Sequence, residues 1–314
     1  MSADFACNYC GHTGFLGVTQ AMRDWEYGVA GDYDYRQCLA CDGVQLHPFP
    51  RLEDLKRAYD IDYHGYAVKA RRGWLFSLLY GLKEALFRRK MSLLVDARSR
   101  ALDVGCGVGE FLLGLRALGV SQLDGIDFNE TVIRKLEKQG INGFCGTFLE
   151  FPATGPDYSL ISMNNYLEHT LDPVAELHKS FQLLQPGGTL VGEVPGFDSL
   201  DRRLFQRFWG GNHVPRHTYQ FSKNFLRKCL REAGFTEVRI SHELNTSHWA
   251  LSIQNLMQRN VSDLRNNPAI VHGRSRYYLL LLLLFVPVNL VSVLLRKSGC
   301  TKFYARKPAT GATS

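Results

Sequence analysis

An α/β fold on a parallel, doubly wound sheet is what this sequence predicts, with a small cysteine-bearing unit in front and an apolar helical insert near its end. Three observations carry the expectation. Between residues 99 and 243, five short apolar runs alternate with helix-like segments. Two CxxC pairs, Cys7/Cys10 and Cys38/Cys41, fall within the first 41 residues. Residues 277–295 read YYLLLLLLFVPVNLVSVLL, without a charge in 19 positions.

The apolar runs are ALDVG (101–105), LDGID (123–127), INGFC (141–145), YSLISM (158–163) and TLVGEV (189–194). The helix-like segments between and after them are 110–118, 130–139, 174–184 and 223–233. Such alternation means βαβ units and a sheet covered on both faces. The chain is expected to divide into a small cysteine-bearing unit (1–50), a basic helical linker (51–98), an α/β domain (99–243 with 300–308) and the insert (244–299).

The 314 residues are 45% hydrophobic and 21% charged, which excludes a mainly disordered chain and a disulfide miniprotein. Lys and Arg outnumber Asp and Glu by 37 to 30. The stretch 69–90, with seven basic residues and one acid, holds most of that excess. A local patch implies a local anionic partner rather than a surface that coats nucleic acid. No charged segment followed by an apolar core opens the chain, so the cytosol is the expected compartment.

In a cytosolic chain, paired CxxC units indicate metal rather than disulfides. Cys7, Cys10, Cys38 and Cys41 can close a tetrahedral zinc shell, and four thiolates leave no open position for catalysis. A structural zinc ribbon is expected, with Gly11 and Gly43 after the knuckles; His12 and His47 are spare neighbours. The remaining Cys106, Cys145, Cys229 and Cys300 are scattered.

LDVGCGVGEFL (102–112) reads as a strand, a tight turn and a helix start. Gly105, Gly107 and Gly109 permit a sharp backbone and close approach of a ligand. The dinucleotide fingerprint would want a further glycine where Glu110 stands, which disfavours a pyrophosphate. Asp127, 18 residues after Gly109, ends the next strand, where a carboxylate can accept bonds from vicinal ribose hydroxyls.

With these residues in view, the chain resembles the class I S-adenosylmethionine-dependent methyltransferases. The matching pieces are LDVGCGVGEFL, GIDFNE (125–130), DYSLISMNNYLEHTLDP (157–173), LLQPGGTLVGEVP (183–195) and HTYQFSKNFLRKCLREAGF (217–235). The front resembles the branch with an N-terminal CxxC…CxxC zinc ribbon. The resemblance implies a Rossmann-like sheet whose last strand is antiparallel, with FTEVRISH (235–242) sixth and TKFYARKP (301–308) seventh. It implies that Gly105, Cys106, Gly107 and Gly109 line the methionine and ribose, with Asp103 near the amino group. Asp127 would hold the ribose, Phe128 would flank the adenine, Thr147 and Phe148 would add adenine contacts, and Asn164 would face the methyl-transfer region. Glu168 and His169 follow, with a turn-forming role as the plainer reading.

The segment 196–222 leaves the fifth strand on the same edge and carries Trp209, His213, Arg216 and His217. An aromatic wall with histidine suits a phenolic, sugar or lipid-linked acceptor. His217, with His213 second, is the candidate base for O-methylation; a structural role for each stays open. An RNA methyltransferase holding RNA through the ribbon and basic stretch is an alternative, as is a non-catalytic zinc scaffold.

As one helix, 277–295 would be about 28 Å long, near a hydrocarbon thickness. Pro287 breaks it, and a single crossing would strand the seventh strand on the far side. Entry from one side without crossing is therefore expected, at the inner face of the membrane. Residues 249–257 are expected to add an interfacial helix, and 73–90 either lies at the interface or packs on the domain.

Overall fold

The computed structural model describes residues 6–59, 74–152, 155–271 and 274–309. Lys69, Arg71 and Arg72 of the basic stretch lie outside them.

The chain begins with β1 (Phe15–Met22), β2 (Tyr33–Cys38), β3 (Val44–His47), α1 (Leu52–Tyr59) and α2 (Trp74–Met91). There follow β4 (Arg100–Val104), α3 (Glu110–Arg116), β5 (Gln122–Asp127), α4 (Glu130–Glu137), β6 (Asn142–Cys145) and β7 (Tyr158–Asn164). Next come α5 (Pro173–Leu183), β8 (Leu184–Pro195), α6 (Leu200–Phe205), β9 (Tyr219–Gln220), α7 (Lys223–Glu232) and β10 (Arg239–Glu243). The chain closes with α8 (Ser247–Met257), β11 (Ile270–Val271), β12 (Arg274–Ser275), α9 (Tyr278–Leu284), α10 (Val286–Leu294) and β13 (Cys300–Arg306).

The large sheet has seven strands in the order β10-β13-β8-β7-β4-β5-β6. Strands β4 to β8 run parallel, and β13 is antiparallel to both β8 and β10. The antiparallel closing strand that the resemblance implies is thus present, beside the strand expected as sixth. Strand β4 is buried from Ala101 to Val104, as a strand covered on both faces must be. Local chemistry sets the helix starts: the Asn129 side chain caps α4, Asp172 caps α5 ahead of Pro173, and Ser222 caps α7. One apolar cluster gathers Leu102, Ile161, Leu190, Phe225 and Phe303; another gathers Ala101, Leu112, Leu123, Leu136 and Leu160.

The four-cysteine unit carries a four-stranded sheet, β1-β2-β3-β9. Its last strand comes from the segment after β8, pairing Gln45 with Tyr219 and Val44 with Gln220. Cys7, Cys38 and Cys41 belong to the same apolar cluster as Phe225, so the cysteine end of this unit rests on the core of the large sheet.

The apolar run forms the short helices α9 and α10, breaking at Phe285 with Pro287 in the first turn of α10. No helix among the described residues is long and apolar enough to cross a membrane. The expectation of an interfacial helix at 249–257 is corrected: Trp249, Ala250 and Leu251 of α8 are buried, and Trp249 stacks on Phe285 at 5.3 Å. That face is spent on packing and is not available to lipid. In α2, Phe87 packs edge-on against Phe111 at 5.5 Å, so the end of this helix rests on the domain.

Candidate active site

Three glycines in the left-handed region bend the chain from β4 into α3: Gly105 at φ 71°, Gly107 at 49° and Gly109 at 79°. A Cβ on Gly105 would sit 2.6 Å from the Tyr166 ring, and one on Gly109 would sit 2.5 Å from Leu136. The turn therefore demands glycine on steric grounds as well. Asp127, at the tip of β5, reaches across to it: Gly107 N–H donates to Oδ2 (3.1 Å) and Asn129 N–H to Oδ1 (2.9 Å). Phe128 is exposed beside it, edge-on to Tyr59 at 5.1 Å.

Asp103 is buried below the turn and accepts from Ser162 Oγ (2.5 Å). Burial raises its carboxyl to about 7; the Ser162 bond opposes the rise and the nearby Asp127 adds to it. The Cys106 side chain is buried among core leucines and offers the mouth only its backbone. Phe148 is fully buried, and Thr147 N–H and Oγ1 donate to Glu150, so these two expected adenine neighbours have side chains occupied elsewhere. Asn164 ends β7 and is half-buried.

A second constellation lies where the 3-10 turn Leu167–His169 meets the segment before β9. Glu168 Oε1 stands 3.9 Å from His169 Nε2 and 4.0 Å from His217 Nε2. These spacings are too long for hydrogen bonds. Neither Glu168 oxygen has a hydrogen-bond partner among the described residues, although the side chain is buried. The three ligand atoms lie within 4.8 Å of one another, a donor set that also suits a cation. Each imidazole is anchored by its other nitrogen: His217 Nδ1 donates to the Gly211 carbonyl (2.9 Å), and His169 Nδ1 contacts the Arg216 carbonyl (3.1 Å) and Tyr59 Oη (2.7 Å). That pattern leaves the Nε2 lone pairs facing Glu168. Burial, then the neighbouring His169 and His213 imidazoles, pushes His217 well below its usual range; burial lowers His169 to about 4. Burial likewise pushes Glu168 well upward. Burial thus disfavours charge on the carboxyl and on both imidazoles.

His213 is committed elsewhere: its Nδ1 lies 2.9 Å from Glu26, which also pairs with Arg274 at 2.9 Å. Arg216, fully buried, pairs with Asp24 (3.0 Å) and donates to the Ala58 carbonyl (3.1 Å). Tyr35 of β2 donates to the His217 carbonyl (2.8 Å). Tyr59, Asp24 and Glu26 escaped the sequence reading because they sit more than 100 residues from the groups they support, with no periodic signal. The structure joins the two constellations through Tyr59, which touches Phe128 on one side and His169 on the other. A wide polar hollow lined by Arg98, Arg100, Gln185 and Arg306 opens at the opposite rim, by the amino ends of the strands. In open α/β sheets ligands bind at the carboxyl ends, which sets that hollow aside.

The four thiols also converge. Cys7 and Cys41 Sγ lie 3.6 Å apart, as do Cys10 and Cys38. Four sulfurs on a tetrahedron about 2.3 Å from a zinc ion would be separated by about that much. Ala40 and Gly43 amides point at Cys38 and Cys41 Sγ (3.4 Å each), as in a metal knuckle. Neither His12 nor His47 joins the group among the described residues.

Sheet order, glycine turn and acidic strand tip together define a nucleotide-type site of the Rossmann-like methyltransferase class. Comparison with known proteins agrees. A family model described as a methyltransferase domain matches residues 79–240, and the chain belongs to this family of S-adenosylmethionine-dependent methyltransferases. A ubiquinone biosynthesis O-methyltransferase of Marinobacter nauticus is 32% identical over 161 residues, 46% of this chain and 66% of that protein. A tRNA U34 carboxymethyltransferase of Alcanivorax borkumensis is 27% identical over 165 residues, 47% of this chain and 48% of that protein. The chain thus spans just under two thirds of the former relative's length. Among solved structures, phosphoethanolamine N-methyltransferase 2 of Haemonchus contortus, in complex with S-adenosyl-L-methionine, covers 88% of this chain and 64% of its own. Its TM-score is 0.52 at 14% identity, a likeness of fold.

Proposed function

We propose that this protein is an S-adenosylmethionine-dependent O-methyltransferase acting on a quinone-like, sugar-type or lipid-linked hydroxyl at the cytoplasmic face of a membrane. The observation that carries the reading is the unpartnered Glu168 carboxyl facing two imidazole lone pairs, one rim away from the glycine turn. The donor set fits the cofactor. Gly105, Gly107 and Gly109 would let its methionine and ribose approach the backbone, and Asp127 would accept the ribose hydroxyls. Phe128 would flank the adenine, with the main chain of Cys106, Thr147 and Phe148 and the Asn164 side chain completing the wall. Asp103, buried and titrating high, would face the amino group. The cofactor supplies an electrophilic methyl group.

The chain's own part is alignment and proton removal. His217 Nε2 takes the acceptor's hydroxyl proton as the oxygen gains the methyl, its ring held by the Nδ1–H bond to the Gly211 carbonyl. His213 positions this wall through Glu26. Zinc on Cys7, Cys10, Cys38 and Cys41 would be structural, and the ribbon, linker, catalytic domain and insert would form one working unit.

His217→Ala decides the role of the base. Turnover should fall about 10²- to 10⁴-fold while S-adenosylhomocysteine affinity stays within about twofold. A joint collapse of affinity and melting temperature would make His217 structural instead. The tRNA-modifying relatives support a second reading, in which RNA is the acceptor. Binding that weakens steeply between low and physiological salt would favour it.

A further inference from the structure

Helix α10 is inside out. Its buried residues are polar, Asn289 and Ser292, while Val288, Leu290, Val291 and Leu294 are exposed. Asn289 Oδ1 accepts from Asn245 N–H (3.0 Å) and Ser292 Oγ donates to the Val288 carbonyl (3.0 Å), while Asn289 Nδ2 has no hydrogen-bond partner among the described residues. Helix α9 adds Leu279, Leu280, Leu283 and Leu284, each more than half exposed. A contiguous apolar face of this kind is far from the scattered leucines of an ordinary surface.

The geometry points to α9–α10 as a docking element for an anionic lipid surface, inserted to shallow depth from one side. Three features of the structure select a bilayer over another protein. The helices are 7 and 9 residues long, about 10 and 14 Å, enough to enter the interface and too short to cross about 30 Å of hydrocarbon. Both ends return to the protein body: Arg274, before α9, pairs with Glu26, and Cys300, after α10, pairs with Pro195 in the sheet. Cations flank the apolar face, with Arg276 exposed before α9, Arg296 exposed after α10 and Lys297 half-buried beside it, complementary to anionic headgroups.

The element also stands at the working rim. Strand β13 starts opposite the end of β8, the carboxyl edge that carries the glycine turn. Tyr278 of α9 lies against the Arg274 guanidinium (4.8 Å), which pairs with Glu26, the partner of His213. Docking would therefore bring the acceptor wall to the lipid headgroups. That an amphiphilic acceptor is taken from the lipid phase rests on the methyl-transfer reading; the docking itself does not.

Flotation of the zinc-loaded full chain tests it, with vesicles of phosphatidylglycerol and phosphatidylcholine against phosphatidylcholine alone. Leu283→Glu with Leu294→Glu changes only exposed positions and should weaken partitioning at least tenfold, since each buried leucine contributes about tenfold or more. Arg296→Glu with Lys297→Glu should weaken it about tenfold or more on the anionic vesicles alone. Equal partitioning of wild type and the leucine variant would overturn the proposal. So would absence of vesicle binding with self-association that the leucine variant abolishes, which would make the occupant a second copy. Calorimetry with S-adenosylhomocysteine on the same samples separates the failures. Binding of that ligand without vesicle binding overturns docking alone, and vesicle binding without it overturns the methyltransferase reading alone.

Discussion

Asp103 places a carboxyl where a carboxylate is expensive. Its folded value of about 7 stands well above that of an unfolded aspartate, near 4. Between those values the folded chain holds a proton that the unfolded chain has released, so stability falls as pH rises through the window. Above pH 7 the full penalty stands, up to about 4 kcal/mol for about three units. Asp103→Asn should therefore stabilise the ligand-free protein at pH 8 by part of that amount, with the gain vanishing near pH 4. Urea unfolding at both pH values checks it. The same variant should be protected less by S-adenosylhomocysteine, whose ammonium group would lose its anionic neighbour. At this scale the glycine turn and its contact with the strand-tip Asp127 were legible in the sequence, because spacing along one βαβ unit reports them. It could not reveal that Glu168, His169 and His217 meet, because 48 residues separate the two histidines and tertiary pairing alone joins them.

Elements show the same division. Strands β4 to β8 and helices α3, α4, α5 and α7 were readable within a few residues, since apolar period and capping residues are local signals. Strand β9 was not: two residues long, it is defined by the ribbon edge it meets rather than by its own pattern. Nor did hydropathy reveal which residues of α10 would face inward, because the packing of Asn245 and Asn289 decides that. For the cysteine unit, one zinc per chain is expected by metal analysis. Cys38→Ser should lower metal content and loosen β2, β3 and β9 together, seen as lost amide protection at Tyr35 and Tyr219. Because Tyr35 holds the His217 carbonyl, turnover should fall in that variant as well.

Across the described residues the cysteine unit, α1, the segment before β9 and the insert are fastened at two buried polar knots. Arg216 ties Asp24 to the Ala58 carbonyl, and Glu26 ties His213 to Arg274. Removing one member of a buried pair strands the other charge, at about 3–5 kcal/mol. Arg216→Met should cost that much in chemical unfolding, and Asp24→Asn with Arg216→Met should recover part of it. Non-additivity in that cycle is the measure of the knot.

The placement of β13 also governs how the chain can be made. It leaves the ribosome late, yet it lies between β8 and β10, which are finished some 60 to 110 residues earlier. At about 5–20 residues per second, those two strands wait for seconds with unpaired edges. The apolar helix pair emerges just before the strand that covers them. A nascent chain that met a lipid surface at that moment would have its most aggregation-prone segment sheltered while the sheet closed behind it.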